Sequence, residues 1–318
     1  MQSDDVVTMR KPNSAFFLLD SSDRNLTGAG AGSSVGLDAD IQPWNNFTLT
    51  KPQPLVDGFA KNIGVTEVLF PWAIPNITPR NNTLYIEFVV GGVKTITIPP
   101  GFYTGALLAL EVQDAINALV GVGGVSPYVV VSWNPADRVF NIAPTPSNPF
   151  TLWANPTAVV DYLTWTRTPS LLKTMGFNPA QLGQEITLPA GVTGSPTFVR
   201  YTNYVDIVSS RLHYDNEIKD GDSSLKTIRD VLCRIYCASE VSTYSVDEVG
   251  TAPFLIHRQF MTPKFIKLNP KQFFNAIDIQ VLDQYGDLVY TPPSMNVMPA
   301  IATQTYPDFV LTMVTSEQ

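Results

Sequence analysis

Twenty-six prolines and twenty glycines are spread along the whole of this 318-residue chain, and they limit its fold more than any other feature. A proline inside a helix removes a hydrogen bond and clashes with the preceding turn, and an internal glycine costs about 1 kcal/mol against alanine. Breakers distributed this way exclude a helical bundle. They suit many short strands joined by irregular loops. Apolar, β-branched segments recur between the breakers, which argues against a disordered chain.

The segments between breakers read as strands by their twofold alternation. They are Ser14 to Asp20, Asn46 to Thr50, Asn62 to Phe70 (stopped by Pro71 and Pro75), Thr83 to Val90, Val93 to Ile98, Tyr128 to Trp133 and Arg138 to Ile142. Gly91-Gly92 between two alternating runs signals a hairpin. Later strands are expected at Tyr201 to Ser209, Val231 to Ala238, Ala252 to Ile256, Phe273 to Leu282, Leu288 to Tyr290 and Phe309 to Val314, with a hairpin turn at Asp283 to Asp287. One helix is expected near 104–120. Thr104 is its N-cap, and Leu108, Val112, Ala115, Ile116 and Leu119 recur at helical spacing. Ser170 to Met175 reads as a helical turn ending at Gly176. Residues 143–200, dominated by Pro and Thr, read as an irregular loop region, and 1–14 as an N-terminal arm. With no βαβ alternation and no internal repeat, the pattern predicts an all-β antiparallel sandwich or jelly roll.

Charged residues make up only 15 % of the chain, against roughly a quarter in typical domains. Two readings fit: surface covered by other subunits, or surface rich in uncharged polar groups. A net charge of −8 excludes a general electrostatic footprint for nucleic acid. The stretch Arg258 to Lys271 holds Arg258, Lys264, Lys267 and Lys271 without an acid, which reads as a solvated loop and strand or as a local basic face. No apolar run is long enough to span a bilayer. The absence of a leader and the presence of two cysteines suggest a reducing compartment, in which the N-x-T sequons at Asn25, Asn46, Asn76 and Asn81 stay unmodified.

Searches for chemistry return little. Only His213 and His257 are histidines, and there is no G-x-S-x-G, P-loop or H-E-x-x-H. Cys233 and Cys237 fall in one apolar strand, four residues and roughly 13 Å apart, too far for a disulfide, and read as core thiols. Asp215 to Asp222 gathers acids without EF-hand spacing and reads as a solvated turn or an ion loop. Gly28 to Ser34 reads as a flexible linker. Trp153, Tyr162 and Trp165 read as core or interface aromatics, or as a sugar-stacking platform. The expectation is therefore a protein that is not an enzyme, with no catalytic, cofactor or metal residues.

The order of motifs resembles the penton, or minor capsid, proteins of virophages, polinton-like elements and related large DNA viruses. The resemblance starts at Phe16 to Arg24, an apolar strand followed by an Asp-Ser-x-x-Arg-like turn (Asp20, Arg24). It continues through Phe47-Thr48-Leu49, Val65 to Pro75 and Asn81 to Ile86. Its most distinctive piece is Ile98-Pro99-Pro100-Gly101-Phe102-Tyr103-Thr104, the entry to a helix ending near Ile116-Asn117. Leu171 to Phe177 is similar to a Leu-x-x-x-Leu-Gly-Phe element, with Met175 in place of its second leucine and Gly176 and Phe177 kept. The Ile277 to Val289 hairpin also fits.

The resemblance implies a single jelly roll over 15–318 with loop elaborations and one inserted helix. It further implies a structural protein forming the pentameric vertex of an icosahedral double-stranded DNA virus. The partners would be further copies of the chain and a neighbouring double-jelly-roll major capsid protein. The chain would reside in the virion, after assembly in the host cytoplasm or nucleus. Asp20, Arg24, Pro99, Gly101, Tyr103, Thr104, Gly176 and Phe177 would be its structural signature. The competing expectations are a carbohydrate- or receptor-binding sandwich, such as a spike or fibre base, or another minor or cementing capsid protein.

Overall fold

A computed structural model of the chain describes residues 14–23, 43–50, 61–72, 74–89, 91–119, 126–146, 148–153, 169–187, 191–200, 202–212, 230–237, 254–268, 276–290 and 308–316. It divides into two compact units. One gathers the described parts of Met1–Ala73, Asn203–Cys237 and Phe254–Gln318, and the other those of Ile74–Thr202. In sequence, the second is an insertion into the first. The expected arm 1–14 lies outside the described residues except for Ser14, which begins β1.

The first unit is built from β1 (Ser14–Asp20), β2 (Asn46–Thr50), β3 (Asn62–Trp72), β11 (Tyr204–Ser209), β12 (Asp230–Tyr236), β13 (Phe254–Gln259), β14 (Phe265–Lys267), β15 (Ala276–Leu282) and β16 (Val310–Ser316). They form two antiparallel sheets. One runs β1-β16-β3-β13, with β14 also pairing β3; the other runs β12-β11-β15-β2. If the strands are lettered B to I in chain order, with β13 and β14 sharing the letter G, the sheets read B-I-D-G and C-H-E-F. That is the jelly-roll order of two interlocked Greek keys. The other unit occupies the D–E connection.

The alternation seen in the sequence explains the sandwich. Ile63, Val65, Val68, Phe70 and Trp72 of β3, and Leu311 and Met313 of β16, are buried from one side. Phe47, Leu49, Ile207, Ile235, Ile277, Ile279 and Val281 are buried from the other. Phe309 links the two sheets, its ring centroid 5.8 Å from Phe47 and 5.7 Å from Phe70. Pro71 does not stop β3 as expected. The strand continues to Trp72 because β16 pairs no further than Leu69, so Pro71 lies where only β13 flanks the strand.

The inserted unit has a sheet β5-β4-β8-β9 and a sheet β10-β7-β6. Their strands are β4 (Thr83–Phe88), β5 (Gly92–Thr97), β6 (Val129–Asn134), β7 (Val139–Pro144), β8 (Phe150–Trp153), β9 (Glu185–Ile186) and β10 (Val192–Thr193). Gly91 and Gly92 both take positive φ at the expected β4–β5 hairpin. A shared core joins Leu84, Ile86, Phe88 and Leu152 to Leu108, Val112 and Ile116 of helix α1 (Gly105–Asn117), and to Leu171, Leu172 and Phe177 around the short helix α2 (Leu171–Thr174). The stretch 143–200, expected to be irregular apart from a helical turn at Ser170 to Met175, supplies that turn as α2 and also β8, β9 and β10. These three strands are two to four residues long, too short to show a period.

At the C-terminal end of helix α1 the Asn117 side chain serves the neighbouring strand. Asn117 Oδ1 accepts the Tyr128 and Val129 N–H groups (2.7 and 3.2 Å), and its Nδ2 donates to the Val129 carbonyl (3.1 Å). Gln113, one turn earlier, accepts the Val131 N–H. Two helix side chains thus occupy a free edge of β6, which would otherwise offer itself for pairing with another chain. Asn117→Ala should cost about 1–3 kcal/mol, since it leaves the Tyr128 and Val129 amides without this acceptor. Hydrogen exchange at those two amides should quicken ahead of the β4 amides; equal protection in variant and wild type would show that the edge does not depend on Asn117.

Candidate functional site

Six of the signature positions fall in the inserted unit, and their contacts are structural. Gly101 pairs with Ile77 through two backbone hydrogen bonds (2.9 and 3.1 Å). A Cβ there would stand 3.3 Å from the Tyr103 ring. The Tyr103 hydroxyl donates to the Pro99 carbonyl (2.8 Å). Burial raises the Tyr103 phenol above its ordinary value, with Glu111 adding to the effect. Thr104 caps α1, its Oγ1 accepting the Leu107 N–H at 3.0 Å. Gly176, at φ +84°, turns the chain after α2, and Phe177 is buried in the core.

The link between these pieces is asparagine, read in the sequence as sequons and, at Asn81, as the start of a family motif. Asn76 Nδ2 donates to the Tyr103 and Val199 carbonyls (2.7 and 2.8 Å), while its Oδ1 accepts the Tyr103 N–H. Asn81 donates to the Asn76 carbonyl and to Thr174 Oγ1. Both amide nitrogens are committed inside the unit, so glycosylation at either would require unfolding it. Asn25 lies outside the described residues, and Asn46 is half-buried in β2.

In the jelly-roll unit, Asp20 ends β1 with its carboxylate accepting the Ser22 N–H (2.8 Å). Ser21 beside it is buried and exchanges hydrogen bonds with the Phe309 backbone. Arg24 lies outside the described residues. Cys233 and Cys237 are buried thiols outside any disulfide, and desolvation, with the nearby Asp206 charge, pushes the Cys233 thiol up. Asp278 collects four hydrogen bonds, from the hydroxyls of Ser209 and Ser210 and the N–H groups of Ser210 and Arg211. Burial acts to raise its pKa, but these bonds outweigh burial and hold it below its ordinary value. A depressed carboxylate adds stability that is present above the unfolded pKa of about 3.9 and disappears as pH falls through the folded value. Asp278→Asn should therefore lower the melting temperature at pH 7, with the gap to wild type narrowing as pH falls below the unfolded carboxylate value of about 3.9. Thermal melts across pH check this; a gap that does not change with pH would mean the charge contributes nothing.

The outer sheet faces are the jelly-roll unit's distinctive surfaces. By register, Phe16 and Leu18 of β1, Leu69 of β3, Leu255 of β13 and Phe265 of β14 all point outward from the β1-β16-β3-β13 sheet. Leu18 is 71 % and Leu255 61 % exposed. Among them Glu67 shares a hydrogen bond with His257 and accepts one from Thr312. The His257 hydrogen bond, chief among several influences, keeps the Glu67 carboxyl below its ordinary value. On the outer face of the other sheet, Arg234 bonds buried Asp206 through two nitrogens (2.7 and 3.0 Å) and lies 4.1 Å from the Tyr204 ring centroid. The Tyr204 and Tyr236 rings stand 5.6 Å apart.

The other sequence candidates do not assemble into a centre. Trp153 is half-buried, its indole N–H bonded to Glu87 at 2.8 Å; Tyr162 and Trp165 lie outside the described residues, as do His213, Gly28 to Ser34, Asp215 to Asp222 and Lys271. Lys264 and Lys267 are exposed around β14, while Arg258 is half-buried in β13. No group of three His, Cys, Asp or Glu side chains able to hold a metal occurs among the described residues. No helix among them is long and apolar enough to cross a membrane.

The strand order and the insertion between its D and E strands define a class: all-β, jelly-roll proteins carrying a second unit in one connection. The mavirus penton protein has this fold. It is 11 % identical, with a TM-score of 0.53 over 96 % of this chain and 99 % of its own, so the likeness takes in both units. A chain of the Sputnik virophage cryo-EM structure is 12 % identical and aligns over 96 % of this chain and 98 % of its own, with a TM-score of 0.43. No protein-family sequence model matches the chain. No curated protein matches it by sequence.

Proposed function

We propose that this chain is a structural capsid protein, the subunit of a pentameric vertex in an icosahedral double-stranded DNA virus. The observation that carries the reading is the whole-length likeness in fold to the mavirus penton protein, jelly roll and inserted unit together. The order of sequence motifs from Asp20 to Phe177 points the same way. In this role residues 15–318 act as the capsid domain and 1–14 as an arm toward neighbouring capsomers. The partners are four more copies of the chain and, around the ring, a double-jelly-roll major capsid protein. The chain resides in the virion and turns over no substrate. Its function lies in its faces, and a low charged fraction suits faces destined for burial.

The test is the mass of the purified full chain in solution, by native mass spectrometry, together with its position in a virion map. A species five times the 34.9 kDa chain mass, located at vertices, is expected. A stable monomer absent from the vertices would sink the reading.

A further inference from the structure

We infer that the outer face of the β1-β16-β3-β13 sheet packs on the outer face of the β12-β11-β15-β2 sheet of a second copy of this chain. The inference rests on the vertex reading and deepens it by naming the surfaces that meet.

The first face carries exposed apolar side chains from one edge to the other, around the polar group of Glu67, His257 and Thr312. Phe16 and Leu18 line its β1 side, Leu69 its middle, and Leu255 and Phe265 its β13–β14 side. Single soluble chains rarely expose a contiguous apolar patch beyond a few hundred Å², and such patches mark contact sites. The chemistry of this patch selects its occupant. Glu67, hydrogen-bonded to His257, sets a carboxylate in the middle strand, and Asp20 adds one on β1. A twofold pairing of the face on itself about its centre would place Glu67 against its twin, and like charges brought together at an interface cost several kcal/mol. A cation carried on an aromatic surface answers it better.

The opposite sheet of the same sandwich offers that surface. Arg234 lies against Tyr204 beside Tyr236, and two hydrogen bonds from its side chain to the buried Asp206 carboxylate fix its orientation. Tyr and Arg are the residue types that most often dominate interface energetics. A guanidinium already anchored loses less freedom on docking than a free one. Tyr236 is 48 % exposed, so the platform is accessible. One face meeting a different face is a heterologous contact, and heterologous contacts close into rings when the rotation permits.

The experiment uses two variants of the full chain. One carries Leu18→Asp and Leu255→Asp, the other Tyr236→Asp. All three substituted side chains are largely exposed, so both variants should melt close to wild type. If either melts early, Leu18→Ser with Leu255→Ser, or Tyr236→Ser, replaces it. Sedimentation velocity should show an assembled wild type and each variant alone as a monomer. An equal mixture should show a one-to-one pair and nothing larger, because only one intact contact can form between the two variants. If the Tyr236→Asp chain still associates, the apolar face pairs with itself, and the inference falls. If both variants assemble like wild type, these faces serve another partner and the inference falls while the vertex reading stands. A monomeric wild type would overturn both.

Discussion

Replacing Asn81 with leucine should cost the inserted unit about 3–5 kcal/mol, a large part of the 5–15 kcal/mol that holds a typical domain together. Asn81 is fully buried (0 % exposed) and uses its whole hydrogen-bonding capacity. Its Oδ1 accepts from the Thr78 N–H and hydroxyl (2.7 and 2.9 Å). Its Nδ2 donates to the Asn76 carbonyl and Thr174 Oγ1 (3.0 and 2.9 Å). Leucine has the same branching but is bulkier, and it leaves a buried backbone N–H and a buried carbonyl without these partners. Each such loss costs about 1–3 kcal/mol. Aspartate would fare no better, since it cannot donate to the Asn76 carbonyl and would bury a charge. The damage should spread along the network, because Asn76 in turn holds Tyr103 and Val199. Denaturant melts and near-ultraviolet circular dichroism check this. A variant melting within a degree or two of wild type would show that the network is dispensable.

The jelly roll was legible where one face of a strand is buried and the other is not. Asn46 to Thr50 alternates, and β2 has the expected bounds; Ser14 to Asp20 likewise became β1. The strand order itself was not legible, because pairing of β16 with both β1 and β3 joins residues hundreds of positions apart. Nor was the separate inserted unit. Its β9 and β10 have two residues each, below any periodicity, and tertiary contacts alone make them strands. The signature glycines were legible as punctuation, but not their reasons, which lie in distant groups such as the Ser195 carbonyl beside Gly176. Asn76 was read only as a glycosylation sequon, and Asn81 as a sequon and the start of a family motif, since nothing local distinguishes a buried amide from an exposed one. The apolar outer face was hidden for the opposite reason. Phe16 and Leu18 in a run of apolar residues look like core, and only the register shows that they point outward.

Gly176→Ala should destabilise the inserted unit by about 3–4 kcal/mol, the sum of a conformational and a steric cost. The residue closes α2 in a Schellman turn: its own N–H bonds the Lys173 carbonyl, and the next N–H, of Phe177, reaches back to Leu172. This places Gly176 at φ +84°, where an L side chain costs roughly 1–2 kcal/mol. A Cβ would also meet the Ser195 carbonyl oxygen at 2.2 Å. That oxygen has little room to retreat, because the Ser195 N–H is bonded to the Gly176 carbonyl (2.8 Å) and Thr197 is tied to Arg138 (2.9 Å). Gly183 provides the comparison. It too has positive φ, +72°, but a Cβ there meets only the Trp153 ring, at 3.6 Å. Gly183→Ala should therefore show the conformational cost alone, roughly 1–2 kcal/mol. Equilibrium unfolding of the two variants separates the contributions. If they lose equal stability, the segment bearing Ser195 yields to the new methyl group, and Gly176 is required only for its turn.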